Sequence, residues 1–569
     1  MSTSRPLLDA TVFESFYLRV DGGPKRRASA IALIRRAVGK GGKAKGKRKA
    51  KAKTAVKVER LGADGKGYLV TPAKPLSPGA AWQKARQLQD LLAQQLSGTY
   101  VVEPLFAVTR RARGARGKRA KSSGSGKPLP CAATDCDWSL DNTHVHSAWA
   151  LTPPAGGERM GKGILIGHPD TGYTRHDELF PKPPGVSRVR LELGYDFQDD
   201  DPDPRDPLKK MEGHGTGTAS VIMSDAGGAS SAKFVTGVAP AAELVPLRVS
   251  NGVVHFSFGD VTRAIHHAVD KAKVHVISMS LGGPFGSHAL EDAVDRAIAN
   301  DIVVLAAAGN EWPYVVWPAK YGTVIAVAAT NCQDRPWSAS ASGEAVDLSA
   351  PGESVWRAFT KKTSSGELYD VGPSNGTSYA VATVAGACAL WLAFFGRDAL
   401  IKSAGKGKLA ALFDRQVRLS ARVPSKWKPL DYGAGILDAL ELLRIGPSAA
   451  VPKHLKTKAK GMAKGMAKAS TPRDPAMLVG EYFAPKDRAR ALARLDRRLG
   501  ATPTARARAW KRLGPELVFH VATDEELRRK LAAPAPARKG KGKSRRKAKT
   551  AAPVHVQRAS SELRSVLET

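Results

Sequence analysis

The chain has 569 residues, a formal net charge of +37 and 42% hydrophobic residues. That length leaves room for roughly three to four average domains, and only four cysteines are present, which excludes a disulfide-built scaffold. The charge excess invites polyanions, but the basic runs carry no interleaved rings to stack on bases and aromatic content is only 6%, which speaks against dedicated nucleic-acid recognition.

In chain order, residues 1–10 show no apolar stretch after Arg5 of the kind a secretory leader needs. No run of 18 apolar residues suggests a membrane span. The cytoplasm is therefore the default compartment, with export by another route left open. Strands are expected at 13–20 and 67–70, an amphipathic helix at 80–96, and a strand end at Tyr100-Val-Val-Glu-Pro. Together they make a small α+β unit over 1–109, interrupted by a Lys/Ala/Gly run at 40–57. A second basic run at 110–127 lies in a Gly/Ser-containing linker over 110–130, and a third occupies 538–549. Blocks of like charge repel themselves and bury almost nothing, so all three runs are expected to be disordered.

From 131 to 445 the pattern changes. Gly163-Ile-Leu-Ile-Gly, Val274-His-Val-Ile-Ser-Met-Ser, Val303-Val-Leu-Ala-Ala-Ala and Val324-Ile-Ala-Val-Ala-Ala are short apolar runs, as in parallel strands covered on both faces. Helical patterns at 261–272 and 288–300 fall between them, and an Ala/Val/Leu-rich run at 379–395 is long enough for a buried helix. Strands alternating with helices on this scale predict an α/β fold, a doubly wound parallel sheet with helices on both faces. The remainder, 446–569, is a basic extension with a small tandem repeat at Gly461-Met-Ala-Lys-Gly-Met-Ala-Lys; short helices are expected at 486–499, 505–513 and 524–531, the rest being disordered.

Three segments in the middle region carry chemistry: Asp170-Thr-Gly, Gly-His214-Gly-Thr-Gly and Asn375-Gly-Thr-Ser378-Tyr-Ala. A serine hydroxyl is a poor nucleophile near neutral pH. A histidine must take its proton, and a buried carboxylate must hold that histidine in the right tautomer. Singly, each segment reads as a turn, a loop or a helix cap; together they supply an acid, a base and a nucleophile. The order Asp…His…Ser differs from the Ser…Asp…His of α/β-hydrolases and the His…Asp…Ser of the chymotrypsin type.

With these segments the chain resembles the subtilisin-like (subtilase) family of serine peptidases. Ile164-Leu-Ile-Gly-His-Pro-Asp170-Thr-Gly looks like the family strand that delivers the aspartate, and Gly213-His214-Gly-Thr like its histidine helix. Ser278-Met-Ser-Leu-Gly-Gly283 is similar to the strand that pairs with substrate, Ala306-Ala-Ala-Gly-Asn310 to the oxyanion segment, and Gly433-Ala-Gly-Ile-Leu-Asp-Ala to the closing segment. The resemblance spans 131–445 and implies a serine endopeptidase acting on proteins or peptides. Asp170, His214 and Ser378 would be the triad, Asn310 the oxyanion donor, and Ser280, Leu281, Gly282, Gly283, Ala308 and Gly309 the substrate-binding walls. The unit at 1–109 resembles in layout the family's N-terminal propeptide, an unrelated accessory domain being the alternative.

Departures touch no reacting atom. Ala382-Thr383 stands where many relatives have Pro-His after the serine motif, and Gly217 where a second histidine is common. Pro169 before Asp170 is unusual, because proline belongs at strand ends. Glu311, after the oxyanion asparagine, would favour a basic P1 residue, whereas Val316-Trp317-Pro-Ala lies where relatives often have a small residue at the pocket floor, and a larger one would shorten the pocket; the two pull in opposite directions. Calcium is common in the family, and the acidic run at 199–206 offers carboxylates, yet its spacing matches no EF-hand loop. No cofactor is expected to be required. No metal ligands are expected, since His144, His146, His168, His266, His267 and His275 show no zinc spacing and read as surface or supporting residues. Cys131 and Cys136 are close enough in sequence to pair under oxidation, while Cys332 and Cys388 lie in core-like segments. The basic tails are expected to bind polyanions or nucleic acid weakly and non-specifically.

Overall fold

The computed structural model describes residues 10–39, 56–109, 135–182, 185–225, 234–254, 258–447, 475–483, 485–533 and 559–568. The basic runs at 110–127 and 538–549, and 40–55 of the first, lie outside the described residues, and with them the disorder expected there. The chain forms two compact units, one comprising Met1–Arg116 with Thr471–Thr569, the other Gly117–Ser470.

The first unit is built from both ends of the chain. Its sheet has the order β2-β3-β1-β4, with β1 at Ala10–Val20, β2 at Lys57–Leu61, β3 at Gly67–Thr71 and β4 at Tyr100–Thr109. All pairs are antiparallel, and Pro104 of the edge strand β4 sits opposite Phe16, a place where proline is tolerated. Phe16, Leu18 and Val20 are fully buried. Helix Pro78–Gln95 opens with proline, is capped by the Ser77 side chain, and buries Ala81, Ala85, Leu88 and Leu92. A second helix, Pro24–Gly39, was not anticipated: its Lys/Arg-rich sequence adjoins the first basic run and shares its composition.

The C-terminal extension is more ordered than its composition suggests. Helices occupy Pro475–Glu481, Pro485–Leu499, Pro503–Thr523, Glu525–Ala532 and Ser561–Glu568. The third runs ten residues beyond the expected 505–513, through Pro515, because Leu517, Val521 and Ala522 are fully buried. Packing overrides a local helix breaker here. The sequence reading kept 1–109 and 446–569 as separate domains; the contacts make residues from both one unit.

The second unit contains a seven-stranded, wholly parallel sheet in the order β11-β10-β9-β8-β5-β7-β6. The strands are β5 (Leu165–Asp170), β6 (Tyr195–Asp196), β7 (Glu243–Arg248), β8 (Val276–Met279), β9 (Val303–Ala307), β10 (Ile325–Thr330) and β11 (Leu348–Pro351). Their near-continuous burial follows from helices on both faces, as the apolar runs predict. Strand order reverses at β5, which has β7 on one side and β8 on the other, so Asp170 ends a strand at the switch point where open α/β sheets bind ligands. Pro169 is accommodated because the ladder to β8 stops at Gly167. Helix Gly259–His267 continues as a π-helical turn, Ala268–Ala272, and helix His288–Ala299 packs beside it. Helix Thr377–Phe395 is apolar enough and long enough to cross a membrane, but 94% of that stretch is buried inside the unit. It packs on β8, β9, β10 and β11 and on helix His214–Met223. A hairpin, β12 (Val355–Thr363) and β13 (Gly366–Ser374), leads into it.

The cysteines depart from the sequence expectation. Cys332 is in a disulfide, whereas Cys136 and Cys388 are free thiols, so Cys136 does not pair with Cys131.

Candidate active site

The three segments singled out by sequence meet at the carboxyl end of the parallel sheet. Asp170 closes β5 and is 1% exposed. His214 begins helix His214–Met223, entered through Gly213 at φ +65, a left-handed conformation natural to glycine. Ser378 is the second residue of helix Thr377–Phe395, so its amide lies at the positive end of the helix dipole.

His214 Nδ1 is 2.7 Å from Asp170 Oδ1, and His214 Nε2 is 3.1 Å from Ser378 Oγ. An ionised carboxylate only accepts, so Nδ1 carries the proton and Nε2 presents its lone pair to the serine. Burial alone would push the Asp170 carboxyl up; the adjoining His214 imidazole, with its hydrogen bond and that of the Thr171 amide (2.7 Å), holds it below the ordinary value. The acid therefore stays ionised. Thr218 Oγ1 lies 3.5 Å from the other Asp170 oxygen and 3.0 Å from His168 Nε2. His168 is buried, and burial holds it below its usual pKa, the His214 ring acting in the same direction against the raising effect of Asp170.

Asn310 Oδ1 accepts from the Thr377 amide at 2.9 Å and from Thr377 Oγ1 at 2.8 Å. A backbone N–H cannot donate to an amide NH2, so this pair of bonds fixes which end of Asn310 is oxygen. The Nδ2 end is thereby directed to the Gly376 side, near Ser378; a Cβ built on Gly376 would be 3.4 Å from it.

The expected substrate-binding residues are nearby, but several have their backbone groups already engaged. Ser280 lies against Ser378: its carbonyl oxygen is 3.3 Å from Ser378 Oγ, and Ser280 Oγ donates to the Ser378 carbonyl at 3.0 Å. Leu281 is buried. The Gly282 amide donates to Val253, and Gly283 and Trp317 exchange both backbone bonds. Ala308 is bonded to Val327 and Val316, and Gly309 to Thr377 and Ala341, so these residues are walls, not donors.

Sequence reasoning missed the parts that hold these pieces in register. Asp206, 3% exposed, accepts from Thr171 Oγ1 at 2.6 Å and from the Gly213 amide at 3.1 Å, while Thr171 Oγ1 accepts from the Gly215 amide at 3.0 Å. One carboxylate thus ties the aspartate loop to the histidine helix. Val316, in the segment expected at the pocket floor, lies against both walls. A Cβ on Gly282 would clash with its methyls and one on Gly309 would come within 3.1 Å, so its side chain closes the gap between the two walls. The acidic run is likewise committed within the protein: buried Arg248 pairs with Asp196 and Asp199, Arg263 with Asp200, and the Tyr173 hydroxyl donates to Asp203. Among the described residues no group of three or more His, Cys, Asp or Glu side chains is arranged to hold a metal ion.

A model of the subtilase family matches residues 161–403. Subtilisin E of Bacillus subtilis (strain 168) is 38% identical over 196 residues, 34% of this chain and 48% of that protein. The chain thus spans about half of that relative's length. An intracellular serine protease of Paenibacillus polymyxa is 34% identical over 245 residues, 42% of this chain and 69% of that protein. Among solved structures, fervidolysin from Fervidobacterium pennivorans, a keratinolytic enzyme related to subtilisin, superposes with a TM-score of 0.53 at 19% identity, over 78% of this chain and 63% of that one. That likeness is one of fold.

Proposed function

The chain belongs to the subtilase family of serine peptidases, and from that premise we propose that it is an endopeptidase using Ser378 as nucleophile. The observation that carries this reading is the unbroken path from Asp170 through His214 to Ser378, 2.7 and 3.1 Å. His214 Nε2 takes the Ser378 hydroxyl proton as Oγ adds to the scissile carbonyl. The oxyanion is received by Asn310 Nδ2 and the Ser378 amide. Collapse breaks the C–N bond, and the proton passes from His214 to the leaving amine. Water then adds to the acyl-enzyme with His214 again as base, releasing the acid and restoring the serine. Asp170 remains ionised throughout and keeps the imidazole oriented.

Substrate preference follows from Val316. With its methyls between Gly282 and Gly309, the P1 pocket is shallow and takes small side chains. Glu311 is exposed and φ +60; it is assigned no part in that choice. The N-terminal sheet-and-helix unit is read as a propeptide, and the disulfide at Cys332 favours maturation in an oxidising compartment. A cofactor is not required in this scheme.

Two variants test it on casein and on a peptide series differing at P1. Ser378→Ala should lose hydrolysis altogether, and persistent activity in that variant would refute the assignment. Val316→Gly should raise kcat/KM for Phe or Leu at P1 by about tenfold or more relative to Ala, since each methylene accommodated is worth roughly 1–3 kcal/mol. An unchanged P1 profile would leave the triad standing and remove Val316 from the pocket.

A further inference from the structure

The helix layer of the N-terminal sheet is completed by residues that follow the peptidase region in sequence. Arg86, on helix Pro78–Gln95, has a side chain only 10% exposed. Its three nitrogens donate to Glu516 at 2.8 Å, to Glu562 at 2.9 Å and to Ser560 Oγ at 2.6 Å. Glu516 is fully buried and also accepts from the Ser560 amide (2.7 Å) and hydroxyl (2.8 Å). Beside this cluster Phe519 stacks 4.6 Å from Phe106 of β4 and 6.2 Å from Trp82. Arg512 bridges Asp90 and Glu562 at the more exposed rim, where pairs weigh little. The centre of the contact is therefore an apolar ring cluster plus a desolvated ion pair, the kind of interface in which losing one partner is costly.

We propose that the N-terminal unit is held by the C-terminal helices of its own chain, so that a cut in 110–130 does not release it. The segment that follows the peptidase region acts as a tether: a separated N-terminal fragment remains seated on helices Pro503–Thr523 and Ser561–Glu568, which stay covalently joined to the peptidase. If the fragment is a propeptide, it is a captive one and not a diffusible one. The docking itself is independent of the catalytic reading.

The test uses the full-length Ser378→Ala chain with a recognition sequence for an unrelated site-specific protease placed in 110–130, so that peptidase activity plays no part. After cutting, the N-terminal fragment should co-elute with the remainder in native size exclusion and separate only in denaturant. Independent elution of the fragment would overturn the proposal. Glu516→Gln, which leaves Arg86 without its buried counter-charge, should weaken retention by roughly tenfold or more. The pair Arg86→Met with Glu516→Leu should restore it, which a variant that merely misfolds would not allow. Retention unaffected by Glu516→Gln, or not restored by the double change, would remove the Arg86 cluster as the hold.

Discussion

Thr377 decides which way Asn310 faces. By giving both its amide and its hydroxyl to Oδ1, it commits the Nδ2 end to the space beside Ser378. That donor does little for a ground-state carbonyl and much for an oxyanion, so its loss should appear in kcat and not in KM. Asn310→Ala is expected to lower kcat by roughly 10²–10³ with KM nearly unchanged; a normal kcat would remove Asn310 from the oxyanion site and leave the triad intact. At this scale the convergence of Asp170, His214 and Ser378 was legible because each sits in a short segment of small residues whose order along the chain is informative. Thr377 and Asp206 were not, because their roles exist only as distances between segments far apart in sequence. Asp206 in particular reads as one more carboxylate in a solvated acidic turn until its bonds to Thr171 and Gly213 are seen.

Among the elements, β5 carries the acid and is also where pH should act on stability. His275 Nδ1 accepts the amide of Leu165, the first residue of β5, at 3.2 Å. Burial, reinforced by Arg397, lowers the His275 pKa to about 4. The ordinary value is about 6.5, so between these two pH values the unfolded chain binds a proton that the folded one refuses. Stability is thus undiminished above about 6.5 and falls as pH drops toward and below 4, by roughly 3 kcal/mol in all. Glutamine can accept the same amide without titrating. Chemical denaturation at pH 7 and pH 4.5 should show His275→Gln losing less stability on acidification than the parent, and equal losses would contradict the role given to His275. Strands β5, β8, β9 and β10 and helix Thr377–Phe395 were readable to within a few residues, since parallel strands buried on both faces leave continuous apolar runs, whereas β6, β7 and β11 were not expected. Helix Pro24–Gly39, β2, and the full length of Pro503–Thr523 were not. Their sequences are basic or interrupted by proline, and tertiary burial decides their state.

For the whole molecule, composition divides the chain at its basic runs, and that division hides a pairing. Arg86 and Glu516 stand 430 positions apart, and no periodicity or charge pattern announces a contact across such a separation. The two ends nevertheless build one unit, while 131–445 supplies the sheet on which the triad is assembled. The central claim concerns one oxygen atom made nucleophilic by its neighbours. The most direct measurement is intact-protein and peptide mass spectrometry after exposure of the full-length chain to a fluorophosphonate. The account predicts a single adduct on Ser378, lost in Ser378→Ala and strongly slowed in His214→Ala, where the proton acceptor is gone. No adduct on the folded parent, or one on another residue that survives Ser378→Ala, would contradict it.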